Sequence, residues 1–152
     1  LSEPPPGMQL SSSEDGRPEW SKKPRETIEQ LARKKRRQIE AWLAEALAAG
    51  MPYTMPDGTD DVVQTRPEDE PNLLGLAIEA RDLRDAGETG AGQVLRAQSN
   101  QLYAMTPAQM IAVTDAAKAF KKQQLAHSWA LKDEIKSALE ADDRAALEAI
   151  DW

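Results

Sequence analysis

The chain has 152 residues, enough for about one domain, and it contains no cysteine and one histidine. These counts exclude disulfides, cysteine metal sites, multi-histidine metal sites and cysteine–histidine nucleophile pairs within the chain. A formal net charge of -7 argues against bulk nucleic-acid binding, and no apolar run approaches the ~20 residues that a membrane-spanning helix needs. No secretory signal pattern is present at the N-terminus, so we expect a soluble cytosolic or virion protein. Because the chain starts with Leu1 and not Met, an origin in a longer protein stays open.

Residues 1–24 are rich in proline and serine and are predicted to form an extended arm. Proline fixes φ and has no amide donor, so the run Pro4-Pro5-Pro6 favours extended chain or loop. The aromatic residue of this segment is Trp20. Two interpretations of it stay open: it docks on its own domain, or it anchors a partner, since protein interfaces favour tryptophan.

Residues 25–152 are predicted to form one helical domain, and its first helix covers residues 25–49. Apolar residues recur there with helical spacing, and Gly50 is placed to end the helix in the left-handed conformation. The apolar positions are Ile28, Leu31, Ile39, Trp42, Leu43, Ala46 and Leu47.

The first helix also carries five consecutive basic residues. They are Arg33, Lys34, Lys35, Arg36 and Arg37. A helix spreads five consecutive side chains around its axis, and no aromatic or glycine-rich recognition motif accompanies them, so we do not expect nucleic acid as a partner. A solvated face, or a docking face for an acidic protein, fits better.

Residues 52–65 are predicted to form a β-hairpin. Pro56-Asp57-Gly58 supplies its turn, because proline presets φ and glycine permits positive φ. The acidic residues of this loop lack the spacing of a calcium-binding loop, so we expect no metal site. A second hairpin is predicted over residues 93–105, after a flexible connector, 87–92, which lacks the Gly-Lys-Ser/Thr of a phosphate-binding loop.

A second helix is predicted to begin between Pro67 and Pro71. Its expected apolar face consists of Leu73, Leu74, Ala77, Ile78 and Leu83. Nine acidic residues and three basic ones lie between Asp57 and Asp85, so this region is expected to pair with the basic first helix, within or between chains.

The long helix predicted over Pro107–Leu139 is the central element. Thr106 and Gln109 form a capping-box pattern, and Pro107 suits the first helical position. Its apolar stripe consists of Met110, Val113, Ala117, Phe120, Leu131, Ile135, Ala138 and Leu139, interrupted at Gln124 and His127-Ser128. Leu125 and Trp129 form a small patch beside the interruption, which faces a partner or packs against the first helix. A short final helix, capped by Asp142, is predicted from Asp143 to Ile150.

Together these elements predict a mainly α protein with short β-hairpins, an α+β class, in which the long C-terminal helix packs on two shorter helices. Apart from scattered carboxylates, the sequence shows no nucleophile–base pair, metal cluster or phosphate motif. We therefore expect a protein without catalytic residues, metal or cofactor. Because much of its apolar content is alanine, we also expect partner contacts or self-association to contribute stability.

The order of motifs over roughly residues 15–152 resembles the tail-fibre assembly and accessory proteins of tailed bacteriophages. More narrowly, it is similar to the uncharacterised C-terminal domain of phage tail and tail-fibre accessory proteins. The residues that carry the resemblance are Asp15-Gly16-Arg17-Pro18, Ala48-Ala49-Gly50, Asp57-Gly58, Thr65-Arg66-Pro67-Glu68-Asp69, His127 and Leu131-Lys132. The connector 87–92 and Pro71 depart from the pattern.

The resemblance implies a non-enzymatic chaperone that binds a trimeric tail-fibre protein in the host cytoplasm and assists its assembly, with or without retention in the virion tail. The alternative is a permanent structural part of the baseplate or fibre. The expected partner-binding residues are Trp20, Leu125, Trp129, Arg33, Lys34, Arg36 and Arg37. Tryptophan covers a large area with few rotatable bonds, and the basic residues add charge steering.

Overall fold

The computed structural model describes residues 3–152, which form four helices and six short strands. The helices are α1 (Ile28–Ala49), α2 (Glu70–Asp85), α3 (Pro107–Glu140) and α4 (Arg144–Ala149), with a 3-10 turn at Pro67–Asp69 before α2. The strands are β1 (Met8–Ser12), β2 (Pro18–Lys22), β3 (Met51–Thr54), β4 (Asp60–Val63), β5 (Gln93–Arg96) and β6 (Leu102–Met105). The predicted α+β class, with a long helix packed on two shorter ones, is confirmed.

α3 is the wall shared by two separate hydrophobic cores. Its N-terminal half packs with α2 and the strands β3–β6, around Met55, Val63, Met105 and Met110. The C-terminal half packs with α1 and α4, around residues such as Ile39, Ile135 and Leu147. The predicted apolar stripe of α3 therefore packs first against α2 and the hairpins and then, further along the helix, against α1 and α4.

Ion pairs along α3 show the direction of α2. Glu70 contacts Lys121 at 2.5 Å and Arg81 contacts Asp115 at 3.0 Å, so α2 and α3 are antiparallel. At the other end, Lys35 of α1 donates hydrogen bonds to the carbonyls of Glu148 and Ile150, which closes α4 over the second core. The middle residue of the basic run is thus used inside the fold.

Local hydrogen bonds set the starts of the two longest helices, as predicted for α3 but not for α1, which begins three residues later than expected. Thr106 and Gln109 form the expected capping box of α3, and Thr27 and Gln30 form another at the start of α1. After α3 the prediction was wrong by one residue, because Asp142 adopts a φ of 51° just beyond the helix and Asp143 caps α4 by accepting from the Ala146 amide.

Gly50 ends α1 in a conformation different from the predicted left-handed one. Its φ of 83° combines with a ψ of 177°, a region that only glycine adopts readily. A Cβ there would lie 2.5 Å from Val62 Cγ1 and 2.8 Å from the Val63 carbonyl oxygen. The Thr65 hydroxyl, just after β4, donates a hydrogen bond to the Leu47 carbonyl in the last turn of α1. This bond ties the end of α1 to the hairpin that follows it.

The two predicted hairpins are present, each as an antiparallel pair: β3 with β4 and β5 with β6. They are linked through Asp61, whose carboxylate accepts from Ser99 Oγ at 2.5 Å and from the Tyr103 hydroxyl at 2.6 Å. The Gln98 amide also donates to the Val62 carbonyl. These bonds hold the hairpins together without merging them into one sheet.

Residues 8–22 form a third hairpin that the sequence analysis did not predict. β1 pairs with β2, with Leu10 opposite Trp20. Gly7 and Gly16 both have positive φ, which lets the chain turn at the two ends of the hairpin. The predicted extended arm did not include this pairing.

Gly50→Ala is expected to lower the free energy of unfolding by about 2–3 kcal/mol, because the new Cβ meets both backbone strain and the Val63 carbonyl. Gly75→Ala is the matched control. Gly75 lies inside α2 with open space around it, so alanine there should raise stability by about 0.5–1 kcal/mol. Urea unfolding of both variants checks this. Equal effects would contradict the role given to Gly50.

The link between Asp61 and Tyr103 predicts a pH-dependent contribution to stability. Hydrogen bonds from Ser99 and Tyr103 lower the pKa of Asp61, and the bond to Asp61 raises the pKa of Tyr103 to about 12. The stabilisation should be complete above the ordinary aspartate pKa of 3.8 and below the ordinary tyrosine pKa of 10.0. It should be lost as pH falls through the lowered pKa of Asp61, or rises from 10.0 to about 12.

Tyr103→Phe tests this link. The variant should have a lower urea midpoint than the wild type at neutral pH, and the difference should shrink in strong acid and in strong base. Taking the difference in midpoint between the two proteins removes the contributions of ionisable groups that both of them share. Identical midpoints at neutral pH would show that the hydrogen bond does not stabilise the fold.

Candidate protein-binding groove

The apolar face of α2 differs from the predicted one. Ala80 is fully buried and Leu73 and Leu76 pack against the first core, whereas Leu74 and Ile78 are 60% and 54% exposed. Leu74 and Ile78, which were predicted on the apolar face, are therefore open to solvent, and Leu76 and Ala80, which were not, pack against the first core. α3 and the hairpins cover two sides of α2 and leave the side with Leu74 and Ile78 open.

A groove of about 440 Å³ lies between this open side of α2 and the N-terminal half of α3. Aliphatic side chains of α2, together with Ala117 of α3, line the groove. The Thr114 hydroxyl offers no free hydrogen-bond donor there, because it already donates to the Met110 carbonyl. The lining residues are Thr65, Arg66, Glu70, Leu73, Leu74, Ala77, Ile78, Arg81, Thr114, Asp115, Ala117, Lys118 and Lys121. An apolar concave surface of this kind suits protruding aliphatic side chains of another protein.

Charged side chains form the rim of the groove. The pairs Glu70–Lys121 and Arg81–Asp115 cross between the helices. At one end the Arg66 guanidinium donates two hydrogen bonds to the Asp69 carboxylate, and these bonds lower the pKa of Asp69. Exposed pairs such as these add little stability, so their main effect is to give the rim a fixed pattern of charge.

Leu125 and Trp129 extend the same side of α3 beyond the groove. Steps of three or four residues lead from Lys118 to Lys121, Leu125 and Trp129, so all four lie near one side of the helix. Leu125 lies about 6 Å along the helix axis from Lys121, and Trp129 lies about 12 Å from it. Trp129 is 59% exposed and Leu125 is half-buried. Trp129 is thus a surface residue, so truncating it should cost the fold little; its partner-binding role remains a prediction.

The other predicted partner-binding residues lie elsewhere. Arg33, Lys34, Arg36 and Arg37 are exposed on α1, which packs along the C-terminal half of α3, away from the groove. Trp20 is half-buried in β2, across from Leu10, which is 58% exposed. The structure therefore brings Leu125 and Trp129 together on one surface with the groove and leaves the basic residues on another.

A family model described as a domain of unknown function, DUF4376, matches residues 30–151. The chain belongs to this family. The DUF4376 segment includes nearly all of α1 and everything after it through α4, and it leaves out the N-terminal hairpin. No curated protein and no solved structure matches the chain significantly.

Within the described residues of this DUF4376 protein, no three His, Cys, Asp or Glu side chains are grouped as a metal site would require. None of the helices in residues 3–152 combines the length and the hydrophobicity needed to cross a membrane. The groove was not predicted from the sequence, although the composition of α2 indicates it. α2 carries large apolar residues at Leu73, Leu74, Leu76 and Ile78, more than one buried face can use.

Leu76→Ala and Leu74→Ala should separate the two faces of α2. Leu76 is half-buried against the first core, so its truncation should cost about 1–3 kcal/mol, below the range for a fully buried leucine. Leu74 is exposed, and its truncation should change stability by less than about 0.5 kcal/mol. Urea unfolding of each variant measures both values. A larger cost for Leu74→Ala would place it in the core.

Proposed function

We propose that this protein is a phage tail-fibre accessory protein, which binds a tail-fibre protein through protein–protein contacts and assists its assembly. The proposal rests on the motif resemblance and on one structural observation: Trp129 stands exposed, with Leu125 one turn away, on the side of α3 that also lines an apolar groove. Large exposed apolar patches on soluble proteins often mark protein–protein interaction sites.

Trp129 has the properties of an interface anchor. An indole buries a large area and loses little conformational entropy when it is immobilised, because it has two rotatable bonds. Anchors of this type account for most of the free energy of a typical interface. Leu125 would pack beside the indole, and the groove would receive apolar side chains from the same partner surface.

The basic residues of α1 have a separate role in this proposal. Arg33, Lys34, Arg36 and Arg37 are exposed, in a chain whose net charge is -7. A local positive surface on an acidic protein orients an approaching acidic partner and speeds association more than it strengthens the complex. Removing these charges should therefore slow binding, and high salt should do the same.

The second candidate function is a permanent structural part of the baseplate or fibre. The N-terminal hairpin favours it, because this element lies outside the DUF4376 match and carries two apolar residues, Leu10 and Trp20, facing each other across its strands. Such an element suits a lasting attachment. Under either function the protein acts by binding, without catalytic residues.

Trp129→Ala should abolish or strongly reduce co-purification with the co-expressed fibre protein while leaving the thermal unfolding midpoint nearly unchanged, because Trp129 is exposed. Trp20→Ala should reduce it as well. Leu102→Ala is the control, since Leu102 is 54% exposed on β6, outside the proposed surface. If both tryptophan variants retain the fibre at the wild-type level, the proposed anchors are wrong.

The two candidate functions differ in whether the fibre needs the protein in order to assemble. Co-expression should raise the solubility and trimer yield of the fibre if the protein is a chaperone. Mass spectrometry of purified virions should detect it in fixed proportion to the fibre if it is a structural part. A soluble trimeric fibre made equally well without the protein would argue against the chaperone.

A further inference from the structure

The two hydrophobic cores are built from different parts of the chain. The residues of the first core lie within residues 51–120, a single continuous stretch. Those of the second core come from two stretches, residues 28–42 and residues 131–152, and the first core lies between them in sequence. We call residues 51–120 the central unit, and residues 28–42 together with 131–152 the terminal unit.

The polar contacts of the terminal unit join its two stretches to each other. Lys35 donates hydrogen bonds to the carbonyls of Glu148 and Ile150. Glu40 forms an ion pair with Lys132. Within the part of the chain that the structure describes, no side-chain hydrogen bond or ion pair links the terminal unit to the central unit. Each unit therefore keeps its apolar and its polar contacts to itself.

The two units are joined where the chain passes between them. In the last turn of α1, the Leu47 carbonyl accepts a hydrogen bond from the Thr65 hydroxyl of the central unit. On the other side, α3 runs from one core to the other through residues 124–128, where the Ser128 hydroxyl donates to the Leu125 carbonyl. A serine that bonds to the preceding turn weakens a helix slightly. The units can therefore separate at these two places without breaking the core contacts of the central unit.

The order of the units along the chain makes them unequal. The contacts of the central unit close only loops within that unit. The terminal unit must bring residues such as Ile39 and Ile135 together across the whole central unit, and the entropic cost of closing a loop rises with its length. A folded central unit lowers this cost, because β3 at its start packs against α3 at its end. The terminal unit thus depends on the central unit, whereas the central unit does not depend on the terminal one.

We propose that the terminal unit opens and closes reversibly on a central unit that stays folded. Proteins open in cooperative units at free energies below that of global unfolding, and separate sets of contacts define such units. In the open form α1, α4 and the C-terminal part of α3 lose their mutual packing. The groove keeps its shape, because its lining lies within residues 65–121. The basic residues of α1 move with the terminal unit. The inference rests on the fold alone and does not depend on fibre binding.

NMR of two matched variants tests the proposal, because different side chains report on the two units. The methionine methyl groups of the first core belong to Met51, Met55, Met105 and Met110. The indoles packed against the second core belong to Trp42 and Trp152. Ile135 and Met110 are both 0% exposed and both lie on α3, so an aspartate at either position disrupts one core.

Ile135→Asp should move the two indole signals to their unfolded positions and leave the methionine signals at their native positions. Met110→Asp should move the indole signals and the remaining methionine signals together, because the terminal unit needs the central one. If Ile135→Asp changes both sets of signals, or neither set, the proposed opening is wrong. If Met110→Asp leaves the indole signals native, the dependence of the terminal unit on the central unit is wrong.

Hydrogen exchange tests the same division without a disruptive substitution, where the exchange rate is proportional to the population of the open form. In the wild type, the slowest amides of α1 should exchange at least about tenfold faster than those of β5 and β6, because only the terminal unit must open. Met110→Ala should speed exchange in β5 and β6 by about thirtyfold or more, the effect of truncating a fully buried side chain. Exchange in α1 should stay unchanged, because its opening leaves the packing of Met110 intact. Equal wild-type rates, or equal acceleration in α1, would overturn the proposal.

Discussion

The fold depends on a single buried stripe along α3. Met110, Val113 and Ala117 serve the first core and Leu131, Ile135 and Ala138 serve the second, so neither α1 nor α2 needs the other in order to pack. Between the two cores Ser128 is almost fully buried, and its hydroxyl donates to the Leu125 carbonyl one turn back. The polar interruption seen in the sequence therefore marks the boundary between the two hydrophobic cores, and the helix is still packed there.

Features governed by nearby residues were predictable from the sequence. The capping box at Thr106 and Gln109 and the turn at Gly58, whose φ is 86°, follow from interactions within three or four residues, and both appear where expected. Both hairpins after α1, and the start of α2 at Glu70 within the predicted range from Pro67 to Pro71, follow from the same rules. The placement of Leu125 and Trp129 beside the junction also followed from helical periodicity alone.

Features that depend on distant neighbours were not predictable in this way. Leu74 and Leu76 are chemically identical, and only the positions of α3 and the hairpins decide which of them is buried. The groove joins side chains from two helices separated by a connector and two strands, so no local pattern marks it. The N-terminal hairpin was missed because its proline and serine content is typical of loops, while its two glycines permit the turns that pairing requires.

All three strand pairs join partners close in sequence; the most separated are Met8 with Lys22, Met51 with Val63 and Gln93 with Met105. None of the six strands hydrogen-bonds to a different hairpin as part of a shared sheet. Closing such short loops carries a small entropic cost, so each hairpin should form quickly. The contacts between α1 and α3 join residues far apart in sequence, such as Glu40 and Lys132, and these contacts raise the relative contact order. We expect the slow step of folding to be the docking of α1, α2 and the hairpins on α3. Because α3 follows them in the chain, it is synthesised after them. Until α3 is synthesised, the apolar faces of α1 and α2 stay exposed to solvent.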